Sequence, residues 1–199
     1  PCESETMKPN IAILGATGAV GQEFLQILGE RDFSIATLRL LASARSAGTK
    51  VPFRGQTLTV EEVGPKSFDG IDIALFSAGG SISKEYAPKF AAAGAVVIDN
   101  SSVFRGDADV PLVVSEVNPE QIRNRPRGII ANPNCSTMQL MVALAPIHRK
   151  VGIERINIAT YQSVSGTGRR ALEELGKQTA ALLNFQSITP EVYPVQIAF

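Results

Sequence analysis

Asn10-Ile-Ala-Ile-Leu14 runs directly into Gly15-Ala-Thr-Gly18-Ala-Val-Gly21, and Ala19 to Arg31 then carries Val20, Phe24, Leu25 and Leu28 on one helical face. A short apolar strand, a glycine turn and an amphipathic helix in that order leave few ways to begin a fold. The turn sets main-chain N–H groups at the positive end of a helix dipole, where a dinucleotide pyrophosphate binds, and small residues let the backbone come close. The spacing is G-x-x-G-x-x-G, a variant of the usual dinucleotide pattern. Its strand, turn and helix setting favours a cofactor site over a turn that merely packs helix on strand.

The alternation continues along the chain. Ile35 to Leu41, Ile71 to Phe76 and Ala95 to Ile98 read as strands, and Ser83 to Ala93 as a helix. Pro88 then belongs either to the first turn of a later-starting helix or to a kink. Strands separated by helices need crossover connections, which implies an α/β fold with a mostly parallel sheet. After Asn100 the chain turns to loops and short strands, marked by Pro111, Pro119, Pro126 and Pro133. Thr137 to Lys150 and Arg169 to Leu183 read as helices, the second with Glu173, Glu174 and Lys177 outward. Glu154 to Thr160 alternates as a strand, and Val195 to Phe199 is strand-like. A junction near 128–134 gives a nucleotide-binding domain over 8–131 and an incomplete second domain over 132–199.

With 199 residues, 44% of them hydrophobic, the chain has ample material for a packed core. Nineteen Lys+Arg balance 19 Asp+Glu, so nothing draws the molecule generally toward nucleic acid or a membrane surface. The apolar-leaning stretch Ile129 to His148 is broken by Asn132, Pro133, Asn134, Ser136, Gln139 and Pro146, a poor bilayer span. Two cysteines, Cys2 and Cys135, are too few for a disulfide scaffold, and the expectation is a soluble, cytoplasmic protein. The polar opening PCESETM lacks the apolar core of a secretory signal, and Met7 is either a native start or a later joint.

The end of the second strand decides the dinucleotide. An NAD site usually places an acid there, yet Leu41-Ala-Ser-Ala-Arg45-Ser46-Ala-Gly48 has none before Glu61. Arg45, Ser43 and Ser46 suit a 2′-phosphate, so NADP is expected; a solvent-exposed loop arginine is the alternative.

Asn132-Pro-Asn-Cys135-Ser-Thr-Met138 puts a cysteine just before a helix that Ser136 or Thr137 can cap. Helix N-terminal amides stabilise a thiolate nucleophile and can hold an oxyanion formed on an attached acyl group. A small buried hydrophobe is the equal alternative on position alone. His148, the only histidine, lies at the far end of the same helix, roughly 20 Å from the sulfur at 1.5 Å rise per residue, and no metal-ligand cluster can be assembled. Asp99-Asn-Ser-Ser-Val-Phe-Arg105 follows a strand end, where Arg105 either clamps a phosphate or carboxylate or pairs with Asp107. Gln162-Ser-Val-Ser165-Gly166-Thr-Gly168 is either a nest for an anion or amide or a flexible connection.

Together the stretches GATGAVG at 15–21, SARSAG at 43–48, ALFSAGGSISKEYAPKFAAAGAVVIDNSSVFR at 74–105, NPNCST at 132–137 and TYQSVSGTGRRALEEL at 160–175 resemble aspartate-β-semialdehyde dehydrogenases. The resemblance implies a Rossmann-type doubly wound parallel sheet followed by the beginning of an α+β catalytic and dimerisation domain. It implies NADPH-dependent reductive dephosphorylation of aspartyl phosphate to the semialdehyde, with Cys135 as the thioester-forming nucleophile. Arg105 would bind the substrate phosphate, Asn134 would border that pocket, and Gln162 would orient the acyl group. Gly15 and Thr17, Gly18, Ala19 and Val20 would hold the cofactor phosphates, Arg45 and Ser46 would select the 2′-phosphate, and Ser165 and Gly166 would line the nicotinamide side. The same resemblance implies that the family's general-base histidine and carboxylate-binding arginine lie beyond Phe199, and that the full-length protein is a homodimer. N-acetyl-glutamyl-phosphate reductases share this chemistry; NPNCST, with no glycine before the cysteine, argues against them. A non-catalytic NADP-binding module is the reading from a different class.

Overall fold

The computed structural model describes residues 8–199, and the opening segment with Cys2 and Met7 lies outside them. The chain divides into two compact units, one ending at Ile156 and the other spanning Asn157–Phe199.

The first unit is built on a seven-stranded sheet. Its strands are β1 (Asn10–Leu14), β2 (Thr37–Ala42), β3 (Lys50–Phe53), β4 (Gln56–Glu62), β5 (Ile73–Phe76), β6 (Val96–Asp99) and β7 (Ile129–Ala131). Helices α1 (Ala19–Glu30), α2 (Gly80–Ala92) and α3 (Cys135–Val151) intervene or follow. The spatial order is β3-β4-β2-β1-β5-β6-β7, and only β3 runs antiparallel to its neighbour. Without β3 this is the 3-2-1-4-5-6 order of a doubly wound dinucleotide fold. Ile11 pairs in register with Leu38 and Ile73, and Leu14 with Leu41 and Phe76.

Both faces of the central strands are covered, so β1, β5, β6 and β7 read as nearly continuous apolar runs, whereas β3 and β4 at the edge are largely exposed. Ile11 and Ile13 face one side with Leu40, Val60 and Leu25 of α1, while Ala12 and Leu14 face the other with Phe76, Val97 and Phe90 of α2. The Phe76 and Phe90 rings meet edge to face at 5.3 Å between centroids. Each fully buried side chain of this kind contributes about 1.5–3 kcal/mol.

Several expectations need correction. The α2 helix opens at Gly80 rather than Ser83, and Pro88 sits inside it on the exposed side, not in the first turn. The β3–β4 hairpin arises around Arg54-Gly55, both with positive φ, and Pro52 is tolerated because β3 is an edge strand. Glu154 to Thr160 and Val195 to Phe199 form no strands. Their alternation is real, but a strand exists only where another pairs with it.

In the second unit, a short turn (Val164–Thr167) leads into α4 (Arg169–Leu183). Glu174 does not face outward: it is 4% exposed and accepts hydrogen bonds from the main-chain N–H groups of Glu191, Val192 and Tyr193. Gln178, one turn on, accepts from those of Ile197 and Ala198. No helix among the described residues is long and apolar enough to cross a membrane.

Candidate active site

Strands β1, β2, β5, β6 and β7 run parallel, so the segments leaving their carboxyl ends emerge on one edge of the sheet. The candidate residues of the first unit all follow these ends. The strand order reverses between β1 and β5, where such sheets bind ligands.

After β1 the glycine turn is held tightly from below. The N–H groups of Gly15 and Ala16 donate to the Leu41 carbonyl at 2.9 and 3.3 Å, and that of Gly18 donates to Gly15 at 3.0 Å. The N–H groups of Thr17, Ala19, Val20 and Gly21 have no acceptor among the described residues. They form a cluster of donors at the start of α1, suited to a pyrophosphate. Gly15 has φ +91°, and a Cβ there would lie 2.5 Å from the Ser77 carbonyl oxygen; a Cβ on Gly21 would collide with the Gly15 carbonyl. Only glycine at both positions lets α1, β1 and the β5–α2 turn meet.

After β2, Arg45 and Ser46 lie in a one-turn 3-10 helix (Ala44–Ser46) closed by the Ser46 N–H on the Ser43 carbonyl. The Arg45 side chain is exposed and makes no hydrogen bond or ion pair with the described residues.

Arg105 does not pair with Asp107, which instead binds Arg127 at 2.7 Å above the Phe104 ring. That hydrogen bond holds the Arg127 guanidinium above its usual range. Half-buried, Arg105 donates from Nε to the Asn132 carbonyl at 2.7 Å and from Nη2 to the Asn100 carbonyl at 3.2 Å. Its guanidinium therefore bridges the segments leaving β6 and β7, with Nη1 left for a ligand.

After β7 the helix α3 begins at Cys135 itself, and Asn134, rather than Ser136 or Thr137, caps it. The Asn134 Oδ1 accepts from the Ser136 N–H at 3.0 Å and the Ser136 hydroxyl at 2.5 Å. Cys135 is a free, exposed thiol at the first helical position, not a buried hydrophobe. His148 closes the other end of α3, its Nδ1 accepting from the Ile153 N–H at 3.0 Å. Among the described residues no three potential ligand side chains gather as a metal site.

Asp99 opens the stretch that the sequence singles out for Arg105, but its own role is not legible there. Wholly buried, it accepts from the Ser83 hydroxyl of α2 at 2.6 Å, the Ser101 hydroxyl at 2.6 Å and the Ser101 N–H at 3.2 Å. The Ser101 hydroxyl oxygen accepts in turn from the Val103 N–H at 3.2 Å, so this carboxylate shapes the loop that carries Arg105. No local pattern marks a contact made sixteen residues away.

In the second unit, Gln162, Ser165 and Gly166 come together by themselves. The Ser163 hydroxyl meets that of Ser165 at 2.9 Å, the Gly166 N–H donates to the Ser163 carbonyl, and the Gln162 carboxamide fills the space beside the Gly166 Cα. Thr167 Oγ1 lies 2.6 Å from the Tyr193 hydroxyl, a contact between the turn and the segment that follows α4.

Residues 10–125 match the model of the semialdehyde dehydrogenase NAD binding domain, and residues 144–199 match that of the semialdehyde dehydrogenase dimerisation domain. The chain belongs to the semialdehyde dehydrogenase family. Among characterised members, the aspartate-semialdehyde dehydrogenase of Bacillus subtilis is 54% identical over 187 residues, covering 94% of this chain and 54% of that protein. The crystal structure of the Vibrio cholerae aspartate semialdehyde dehydrogenase II complexed with ASA superposes with a TM-score of 0.90 at 54% identity, covering 97% of this chain and 58% of that one. The aspartate semialdehyde dehydrogenase with NADP from Candida albicans superposes at 0.63 with 32% identity over 73% of this chain and 48% of that one. The chain thus spans about half the length of the semialdehyde dehydrogenases it matches.

Proposed function

We propose that this chain serves NADPH-dependent reductive dephosphorylation of L-aspartyl-4-phosphate to L-aspartate 4-semialdehyde, a cytoplasmic step toward lysine, threonine and methionine, in a protein that is a homodimer at full length. The observation that carries it is Cys135: a free thiol opens α3 on the sheet edge that also bears the glycine turn, beside a segment whose Asn132 carbonyl fixes Arg105. We take 8–131 as the NADP-binding domain and 132–199 as the catalytic portion.

The glycine turn fits the cofactor, since side chains at Gly15 and Gly21 would fill its cradle. The N–H groups of Thr17, Ala19 and Val20 would hold the pyrophosphate, with Gly15 and Gly18 shaping the turn, while Arg45 and Ser46 take the 2′-phosphate. Bound there, NADPH supplies the hydride that makes the overall reaction a reduction. The protein's own chemistry starts at sulfur. The Cys135 thiolate attacks the acyl carbon, a C–S bond forms, the C–O bond to phosphorus breaks, and inorganic phosphate leaves. Arg105, through Nη1, and Asn134, through Nδ2, would receive the phosphate, and amides of the first turn of α3 would steady the oxyanion. Gln162 as the acyl-orienting group, and Ser165 with Gly166 on the nicotinamide side, rest on resemblance to the family.

Iodoacetamide labelling checks the nucleophile. Cys135 is expected to alkylate faster than a free model thiol at about pH 6.5. Equal or slower labelling would remove the activated sulfur and leave a nucleotide-binding module.

A further inference from the structure

The amides of the glycine turn are not equivalent. Those of Gly15, Ala16 and Gly18 are spent on carbonyls of the protein, so Thr17 supplies the one turn amide left for a ligand, beside the three at the start of α1. Its direction depends on the Ala16–Thr17 peptide plane. That bond is trans, so its C=O and N–H point to opposite sides. The Ala16 carbonyl is claimed by a side chain: Nε2 of Gln22 donates to it at 2.6 Å. Gln22 sits in the first turn of α1, its own N–H on the Gly18 carbonyl at 3.0 Å, so it is anchored where it reaches back.

We infer that Gln22 is a positioning residue for the pyrophosphate site: by holding the Ala16 carbonyl against α1, it keeps the Thr17 N–H turned outward to the anion. This rests on the cofactor reading above. Ala16 is wholly buried and its N–H donates to Leu41, which fixes the preceding Gly15–Ala16 peptide but leaves the tilt of the Ala16–Thr17 plane, set by ψ of Ala16 and φ of Thr17, to the carbonyl's own partner. Without that partner a carbonyl oxygen, rather than an N–H, can turn toward the incoming phosphate. A lone pair would then face an anion.

The test compares two ligands on Gln22→Met in the full-length protein. Methionine keeps the length of the side chain and loses the donor. Gln26→Met is the control, because Gln26 lines the same hollow between α1 and the β3–β4 hairpin and its amide goes to Glu30. NADPH spans the glycine turn, whereas adenosine 2′-monophosphate carries the 2′-phosphate but no pyrophosphate. Loss of one hydrogen bond of ordinary strength predicts NADPH binding weakened about 3- to 10-fold in Gln22→Met. Binding of adenosine 2′-monophosphate should be unchanged, and Gln26→Met should match the parent with both. Equal NADPH affinity in Gln22→Met and the parent overturns the inference, as does parallel weakening of both ligands, which would mark a general structural role. If the parent protein binds neither ligand, the cofactor reading falls and takes this inference with it. If the parent binds both and only the Gln22 pattern fails, the cofactor reading stands alone.

Discussion

Asp99 has no solvent contact, and its partners are two serines. One is the wholly buried Ser83, whose hydroxyl donates to this carboxylate. Asp99→Ala removes the acceptor of that buried hydroxyl and frees the turn through Ser101, so we expect a loss of about 2–4 kcal/mol, read from the denaturant midpoint. Asp99→Asn keeps one acceptor and should lose less. Unchanged stability in the alanine variant would show that the hydrogen bonds carry no weight. Asp99 also marks a limit on what single residues disclose. Gly15, Arg45 and Cys135 stand in local contexts whose chemistry is readable from neighbours in sequence. Ser83, which donates to Asp99 from α2, and the Asn132 carbonyl, which holds Arg105 from the segment after β7, are distant in sequence and arrive only once the sheet has formed.

At the level of elements, α4 was legible in its bounds and misread on one face. Its ends follow from local composition, with Gly168 before and Asn184 after. Glu174 looked outward because a carboxylate on a helix normally is. It is buried because a loop returns over the helix and offers three N–H donors to that one group. The bond from Glu191 is the strongest cause holding its carboxyl below the usual range, and those from Tyr193 and Val192 add to it, against the opposing effect of burial. A carboxyl whose folded value is lowered stabilises the fold fully above its unfolded value, about 4.3, and loses that contribution as pH falls through the folded value. The amides of Glu191, Val192 and Tyr193 should therefore be strongly protected near neutral pH and lose protection, measured against the intrinsic exchange rate at each pH, as the medium is acidified below about pH 4. Glu174→Gln, which offers one acceptor oxygen in place of two, should leave these amides less protected at neutral pH, with protection that changes little on acidification. Identical pH profiles for the two proteins would assign the loop's order to something other than this carboxylate. Glu154 to Thr160 failed for the opposite reason: its alternation promised a face, but no strand lies beside it.

For the whole molecule, the parallel order was readable because strand and helix alternate in the sequence, and crossover connections follow from that alternation alone. The β3–β4 hairpin and the three-residue β7 were not, since their pairing depends on edges that only the assembled sheet provides. The order matters because it places the glycine turn and Arg45 after adjacent strands, β1 and β2, so one extended ligand can reach both. A ligand that binds only the folded state raises its stability by RT ln(1 + [L]/Kd), about 2.7 kcal/mol at a hundredfold excess over Kd. NADPH and NADH share every group except the 2′-phosphate, so any difference between them in thermal stabilisation reports on the Arg45 end of the site. At equal concentration NADPH should raise Tm more than NADH, and Arg45→Ala should shrink that gap while leaving the NADH shift in place. Arg45 has no ion pair among the described residues, so its removal should leave the melting of the unliganded protein nearly unchanged. Equal shifts by the two cofactors in the parent protein would show that Arg45 selects nothing, and a lower unliganded Tm in Arg45→Ala would show that it serves the fold instead.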